Sequence, residues 1–200
     1  MEMPLRHERL TIELTGTAPL LMRSGRMVDP LDPVAQEIAA ITRKRVRTEA
    51  DIARIDELEW TGGLWALSGK PCVPAEAIEA MVAEAAKLKR AARSVRAGFL
   101  VPETPTLDYD GPRDLETLRC DARFRLRVPV AIGPRRIMRT RPRFPAGWRL
   151  AFEADYLPDV LNPRDIGEFI ALAGHRVGLG DWRPRFGRFL AQVTARQGLG

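Results

Sequence analysis

The spacing of hydrophobic residues along this chain of 200 residues changes between two periods. Apolar residues alternate with polar ones, which predicts half-buried strands, in four stretches: 9–15, 124–130, 150–156 and 188–194. Helical spacing at 74–90 and 163–176 predicts two amphipathic helices whose apolar stripes belong to the core. Residues 99–101 are a weaker strand candidate, and the proline-broken, acidic stretch 102–111 predicts a surface loop.

Residues 33–72 add further helical patterns after the first strand. Pro33 suits a first helical turn, and Thr48 with Asp51 has the spacing of a capping box that starts a second short helix. Without this segment, the elements follow the β-α-β-β-α-β order of a ferredoxin-like, or RRM-like, α+β fold. We therefore predict a single decorated ferredoxin-like domain over 1–200, with a helical insertion at 33–72 and a basic β-hairpin.

Positive charge is concentrated in the C-terminal part of the chain. The net charge of +6 arises from sixteen basic and nineteen acidic residues in 1–118, followed by sixteen basic and seven acidic residues in 119–200. A clustered positive field attracts nucleic acid. Two alternating segments joined by a turn at Gly133 and Pro134 form the predicted hairpin. The arginines that we predict to face phosphates there are Arg125, Arg127, Arg135, Arg139, Arg141 and Arg143.

A glycine-rich stretch, VGLGDWRPRFGRF at 177–189, joins the last helix to the last strand. It is not a dinucleotide-binding fingerprint, because that motif follows a strand and opens a helix. Interleaved arginine and aromatic side chains suit a phosphate backbone and unstacked bases. Arg23, in the long loop after the first strand, is a further candidate. The predicted nucleic-acid contacts in the stretch are Gly178, Gly180, Trp182, Arg183, Arg185, Phe186, Gly187 and Arg188.

Other kinds of site are not indicated by the sequence. It contains no Walker motif, no zinc-ligand spacing and no nucleophile elbow, and Cys72 and Cys120 fit neither a metal nor a disulfide pattern. We therefore expect no metal and no cofactor. No apolar run of about 18 residues occurs, and the N-terminus lacks the apolar core of a signal peptide. These features predict a cytoplasmic protein without a membrane partner.

Three segments resemble the RAMP superfamily, which includes the RNA-binding backbone subunits of CRISPR effector complexes. They are the opening TIELTGTAPLLMRSG, the turn FPAGW that leads into the strand at 150–156, and GLGDWRPRFGRF after the last helix. The family loop usually ends in Gly-Phe-Gly. Here only Phe186 and Gly187 are present, and Arg188 takes the next position. The resemblance implies sequence-tolerant binding of single-stranded RNA or DNA along the backbone, with protomers able to assemble side by side as a homo-oligomer or filament. Because 33–72 has no counterpart, the resemblance also fits a distant phage or mobile-element relative outside CRISPR systems.

Two other functions stay open from the sequence. Some RAMP proteins are endoribonucleases that use a histidine near the first strand or an aspartate in the loop after it. His7, Asp29 and Asp32 are the available counterparts, although both aspartates precede prolines and suit a turn and a helix cap. The other alternative is a structural or interaction protein of a phage or mobile element, whose basic face binds an acidic protein.

Overall fold

The computed structural model describes residues 7–133 and 135–195. Pro134 of the predicted turn and the side chain of Arg135 lie outside the described residues. The strands are β1 (Glu8–Gly16), β2 (Leu20–Leu21), β3 (Ala66–Leu67), β4 (Lys70–Pro71), β5 (Phe99–Leu100), β6 (Arg125–Ile132), β7 (Arg135–Phe144), β8 (Arg149–Tyr156) and β9 (Phe189–Ala195). The helices are α1 (Pro33–Thr42), α2 (Glu49–Gly63), α3 (Ala75–Ala86), α4 (Ala92–Gly98), α5 (Leu115–Cys120) and α6 (Pro163–Leu172), the last continued by a π-helical turn at Ala173–Val177.

The chain forms an α+β fold whose main sheet has four strands in the order β5-β8-β1-β9. All neighbouring strands in it are antiparallel. The alternation in β1 turns Leu10, Ile12 and Leu14 to one face, where each is at most 1% exposed. Ile78 of α3 and Ile170 of α6 belong to the same core cluster. The strands and helices of this layer therefore lie where their hydrophobic periods predict them.

A second sheet of three strands, in the order β2-β7-β6, contains the predicted hairpin. In its antiparallel register, Arg127 lies opposite Thr140 and Val128 lies opposite Arg139. Directly opposed residues point to the same face of a sheet, and successive residues point to opposite faces. Arg125 and Arg127 therefore project from the opposite face to three arginines of β7, namely Arg139, Arg141 and Arg143. The predicted phosphate-facing arginines of the hairpin thus lie on two faces.

Helix α2 is longer than the short helix predicted for this segment. It begins with the predicted capping box, in which the Thr48 hydroxyl accepts from the Asp51 N–H and the Asp51 carboxylate accepts from the Thr48 N–H. It ends at Gly63, so that the glycine pair Gly62 and Gly63 forms part of its last turn. A Cβ on Gly62 would lie 2.4 Å from the Met27 sulfur, so the missing side chain lets the helix pack closely.

Three other features differ from the prediction or were absent from it. In the stretch 102–111, predicted as a surface loop, Leu107 and Tyr109 are buried. The Tyr109 ring packs edge-on against Phe144, with centroids 4.9 Å apart. Helices α4 and α5 were not predicted, because six or seven residues are too few to show a helical period clearly. None of the helices in the described part of the chain is long and apolar enough to cross a membrane.

Candidate nucleic-acid interface

Residues 178–188, which we name the glycine loop, are fixed by backbone hydrogen bonds. The Leu179 N–H donates to the Gly187 carbonyl at 2.9 Å, which closes the loop on itself. The Asp181 N–H donates to the Leu21 carbonyl of β2 at 2.8 Å, which ties the loop to the segment after β1. Because both ends and the middle of the loop are held, its side chains project in defined directions.

Gly187 is required by this arrangement. Its φ is +73°, and a Cβ there would lie 1.7 Å from the Leu179 carbonyl oxygen. Gly178 and Gly180 also have positive φ, of 77° and 84°. The three glycines that the sequence assigned to nucleic-acid contact therefore have a structural role in shaping the loop.

Asp181 connects the glycine loop to β7. Its carboxylate accepts from Arg141 Nε at 2.9 Å and from the Trp182 N–H at 3.1 Å. Arg141 is only 8% exposed. The structure thus places Arg141 inside an ion pair beneath the loop, not on the surface where the sequence predicted it, because Asp181 offers it a carboxylate within the fold.

The arginines of the loop itself are exposed. Within the described part of the chain, Arg183 and Arg185 form no direct ion pair with a carboxylate. Arg188 is also exposed and donates from Nε to the Pro184 carbonyl at 2.9 Å. The Lys87 ammonium, with a smaller contribution from Arg183, holds the pKa of Glu84 below its usual value. Arg183 and Glu84 thus attract each other across the groove that both line, without a direct ion pair between them.

Two aromatic side chains lie beside these arginines. Trp182 and Phe186 are both half-buried, with ring centroids 6.1 Å apart and planes inclined by 53°. The Arg185 guanidinium lies 6.0 Å from the centre of the Phe186 ring. Each ring therefore anchors the loop on one side and leaves part of its surface accessible, as a stacking platform for bases requires.

A groove of about 630 Å³ separates the loop from the end of α3. Leu88 lines one side, and Trp182 with Arg183 lines the other. Arg176, in the turn after α6, also faces the groove and was not among the predicted contacts. Its position near a helix C-terminus explains the omission, because a basic residue there is favourable for the helix dipole alone.

Arg23 belongs to the segment after β1 to which the glycine loop is hydrogen-bonded. It is exposed and comes two residues after Leu21, whose carbonyl receives the Asp181 N–H. Among residues 7–133 and 135–195, no carboxylate forms an ion pair with it. Arg23 therefore follows closely the point at which the glycine loop is hydrogen-bonded to β2.

The arginines of β6 share one carboxylate of α2. Asp56 forms an ion pair with Arg125 and lies 3.4 Å from the Nε of Arg127. Asp56 also accepts a hydrogen bond from the Thr140 hydroxyl. Because one negative charge serves two arginines, their positive charge is partly compensated within the protein.

Glu59, one turn further along α2, forms an ion pair with Arg139 of β7. It is 3% exposed and accepts from Arg139 at 2.5 Å and from the Thr140 N–H at 2.7 Å. A buried carboxylate is stable only with such partners. Arg139 thus satisfies Glu59, whereas the sequence assigned it to phosphate.

The remaining predicted arginine of the described hairpin is Arg143. It is half-buried and donates to the Arg123 carbonyl at 3.4 Å. Its backbone pairs with Leu21 of β2, which places it near the loop segment. The side chain of Arg135 lies outside the described residues.

The candidate catalytic residues do not form a constellation. His7 is exposed and precedes β1, whereas the two aspartates follow the other end of that strand. Asp29 accepts from the Leu31 N–H at 2.9 Å, and Asp32 caps α1 by accepting from the Val34 N–H at 2.9 Å. The Arg26 guanidinium holds the pKa of Asp32 below its usual value. These roles match a turn residue and a helix cap.

No group of three potential metal ligands occurs among residues 7–133 and 135–195. Cys72 is buried, which raises the pKa of its thiol, and Cys120 is exposed. Both are free.

Comparison with known proteins gives a likeness of structure alone. No protein family and no curated protein matches the sequence. Among 34 matching chains of solved structures is one from the "Cryo-EM structure of the Type III-B Cmr-beta bound to cognate target RNA", at a TM-score of 0.51 and 11% identity. The match covers 96% of this chain and 62% of that one. The two chains share a fold, and this protein spans less than two thirds of its neighbour.

Proposed function

We propose that the protein binds single-stranded nucleic acid along its backbone, without sequence preference, through the glycine loop and Arg23. The observation that carries the proposal is the set of exposed arginines, without a direct ion pair in the described part of the chain, beside Trp182 and Phe186. Arginine binds phosphate, and partly exposed aromatic rings stack on any base. A groove of about 630 Å³ runs beside Trp182 and Arg183.

The topology supports membership of the RAMP superfamily. Counted along the chain, β1, β5, β8 and β9 are the first to fourth strands of the main sheet, which reads 2-3-1-4 across its width. Helix α3 connects the first two strands and α6 the last two. This arrangement supports a ferredoxin-like topology in one domain, to which 33–72 and the β6–β7 hairpin are additions.

The solved neighbour supports RNA as the first ligand to test. Its structure contains target RNA in a Cmr-beta assembly. Single-stranded DNA has the same phosphate charge and the same bases to stack, so the glycine loop fits both. Side-by-side assembly of protomers along the strand belongs to the same proposal.

Mobility-shift titrations test the proposal. Single-stranded RNA, single-stranded DNA and duplex DNA of one sequence are titrated at several salt concentrations. We expect both single strands to bind, with the logarithm of affinity falling linearly against the logarithm of salt. Replacing both Arg183 and Arg185 by alanine should reduce that slope by about 1.4, since each single-strand phosphate contact contributes about 0.7.

The matched control replaces Arg54 and Arg113 by alanine. Both are exposed and paired with carboxylates away from the loop, so the variant loses the same formal charge. Its slope should stay close to that of the wild type. Absence of binding at low salt, or an affinity independent of salt, would refute the proposal. Defined RNA fragments that disappear in His7→Ala or Asp32→Ala would instead identify an endoribonuclease.

A further inference from the structure

A second cavity, of about 360 Å³, lies between α2, α5 and the β3–β4 hairpin. Two tryptophans line it, and they differ in how much of the ring is exposed. Trp60 is 2% exposed, and its indole N–H donates to the Phe124 carbonyl at 2.9 Å. Trp65 is only half-buried, so part of its ring forms accessible wall. Trp65 is therefore the aromatic group available to an occupant.

The lining favours a neutral, flat occupant over a free anion. The cavity is bounded by Leu64, which is 6% exposed, and by the buried thiol of Cys72, whose pKa is raised by burial. Arg26, Arg119 and Glu116 also line it, but each is already in an ion pair, the last two with each other. Thr61 adds a hydroxyl that can donate or accept. The volume lies in the range of ordinary ligand pockets, about 300–1,000 Å³.

The cavity is continuous with the proposed interface through one short segment. The Leu21 carbonyl receives the glycine loop, and three residues later the Ser24 N–H donates to the Gly63 carbonyl at the cavity wall. Three residues span at most about 10 Å. Arg23 is exposed between these two points. A strand whose phosphate contacts Arg23 therefore has a base within reach of the cavity.

We infer that this cavity receives one unstacked nucleobase of the bound strand, stacked on Trp65, while Arg23 contacts the adjacent phosphate. The inference rests on the proposed function and adds a base contact distinct from the glycine loop. Because the wall is mainly aromatic and apolar, the contact tolerates any base.

Trp65→Ala and Trp65→Leu are the test variants, and the second keeps apolar bulk in case the first fails to fold. Leu67→Ala is the matched control, because Leu67 is 52% exposed on β3 and does not line the cavity. Affinity is measured for a single-stranded DNA and for an abasic strand of the same length and charge. Both Trp65 variants should bind the DNA roughly five- to a hundredfold more weakly, the range expected for one lost stacked base. Their affinity for the abasic strand should not change.

The outcomes separate this inference from the function on which it rests. An equal loss on both strands would reveal a merely structural role for Trp65 and overturn the inference. Unchanged affinity in both Trp65 variants, while the Arg183 and Arg185 double variant binds more weakly, would also overturn it but leave the proposed function intact. If the wild type binds neither strand, both proposals fail together.

Discussion

Two arginine-rich regions of this protein differ in what surrounds their charges. On the β6–β7 hairpin, the carboxylates of Asp56 and Glu59 form ion pairs with the arginines that approach α2. On the glycine loop, Arg183 and Arg185 are exposed and form no direct ion pair with a described carboxylate. A high density of arginines therefore does not by itself leave positive charge available to a ligand, because carboxylates of the same fold can take it up.

The hairpin arginines have a structural explanation. Glu59 accepts from the Thr140 N–H of β7 and thereby satisfies a donor that β6 does not reach. Sheets need such cover, because an open strand edge invites pairing with other chains. Arg139 then compensates the charge that this cover buries. Glu59 and Arg139 thus form a closed ion pair between α2 and the hairpin, whereas Arg183 and Arg185 have no direct ion pair with a described carboxylate.

The largest expected effect comes from adding a side chain at Gly187, where the backbone of the glycine loop leaves no room for one. Gly187→Ala places a Cβ against the Leu179 carbonyl at positive φ and should lower the free energy of unfolding by more than about 4 kcal/mol. Gly133→Ala is the matched control on the hairpin, since Gly133 also has positive φ but an added Cβ there meets open space. It should cost about 1–2 kcal/mol. Chemical denaturation measures both, and equal losses would contradict the packing described for the loop.

The second-largest effect comes from removing Glu59, the buried carboxylate that joins α2 to the hairpin. Glu59→Ala leaves Arg139 and the Thr140 N–H without their carboxylate and should cost about 3 kcal/mol of unfolding free energy. Glu57→Ala, two residues away on α2, removes an exposed carboxylate and should cost less than about 1 kcal/mol. Denaturant midpoints compare the two. A loss as small for Glu59 as for Glu57 would mean that the hairpin does not depend on its acidic partner.

Titrations with nucleic acid compare the contribution of the hairpin arginines to binding with that of the loop arginines. Replacing Arg125 and Arg127 by alanine removes the same charge as replacing Arg183 and Arg185. Because Asp56 already compensates part of the charge of the first pair, we expect the loss of that pair to change the salt slope by no more than about half of the about 1.4 expected for the loop pair. Titrations at several salt concentrations decide this. A larger change for the hairpin pair would reverse the assignment of the two regions.

The sequence predicted local features well and long-range pairing poorly. The alternation in β1 and the capping box at Thr48 depend on neighbouring residues and lie where predicted. The ion pairs of the hairpin join residues far apart in sequence, such as Asp56 and Arg125, which are separated by 69 positions. No local pattern encodes which acid folds against which arginine. The glycine loop could therefore be located from sequence, but the compensation of the hairpin could not.

The smallest effect concerns the start of α2, the helix that carries the acids to the hairpin. The Lys44 ammonium, helped by the Thr48 N–H, holds the pKa of Asp51 below its usual value. A carboxyl whose pKa is lowered by folding stabilises the protein fully above its unfolded pKa of about 3.9, and loses that contribution as the pH falls towards the folded value. Asp51→Asn should therefore be less stable than the wild type at pH 6, and the difference should shrink below about pH 4. Denaturant midpoints at pH 6 and pH 3 measure it, with Glu49→Gln on the same first turn as the control. A difference that stays constant across this range would show that Asp51 acts through the shape of the cap and not through its charge. The stability of α2, and of the ion pairs that it forms with the hairpin, would then not depend on the Lys44–Asp51 pair.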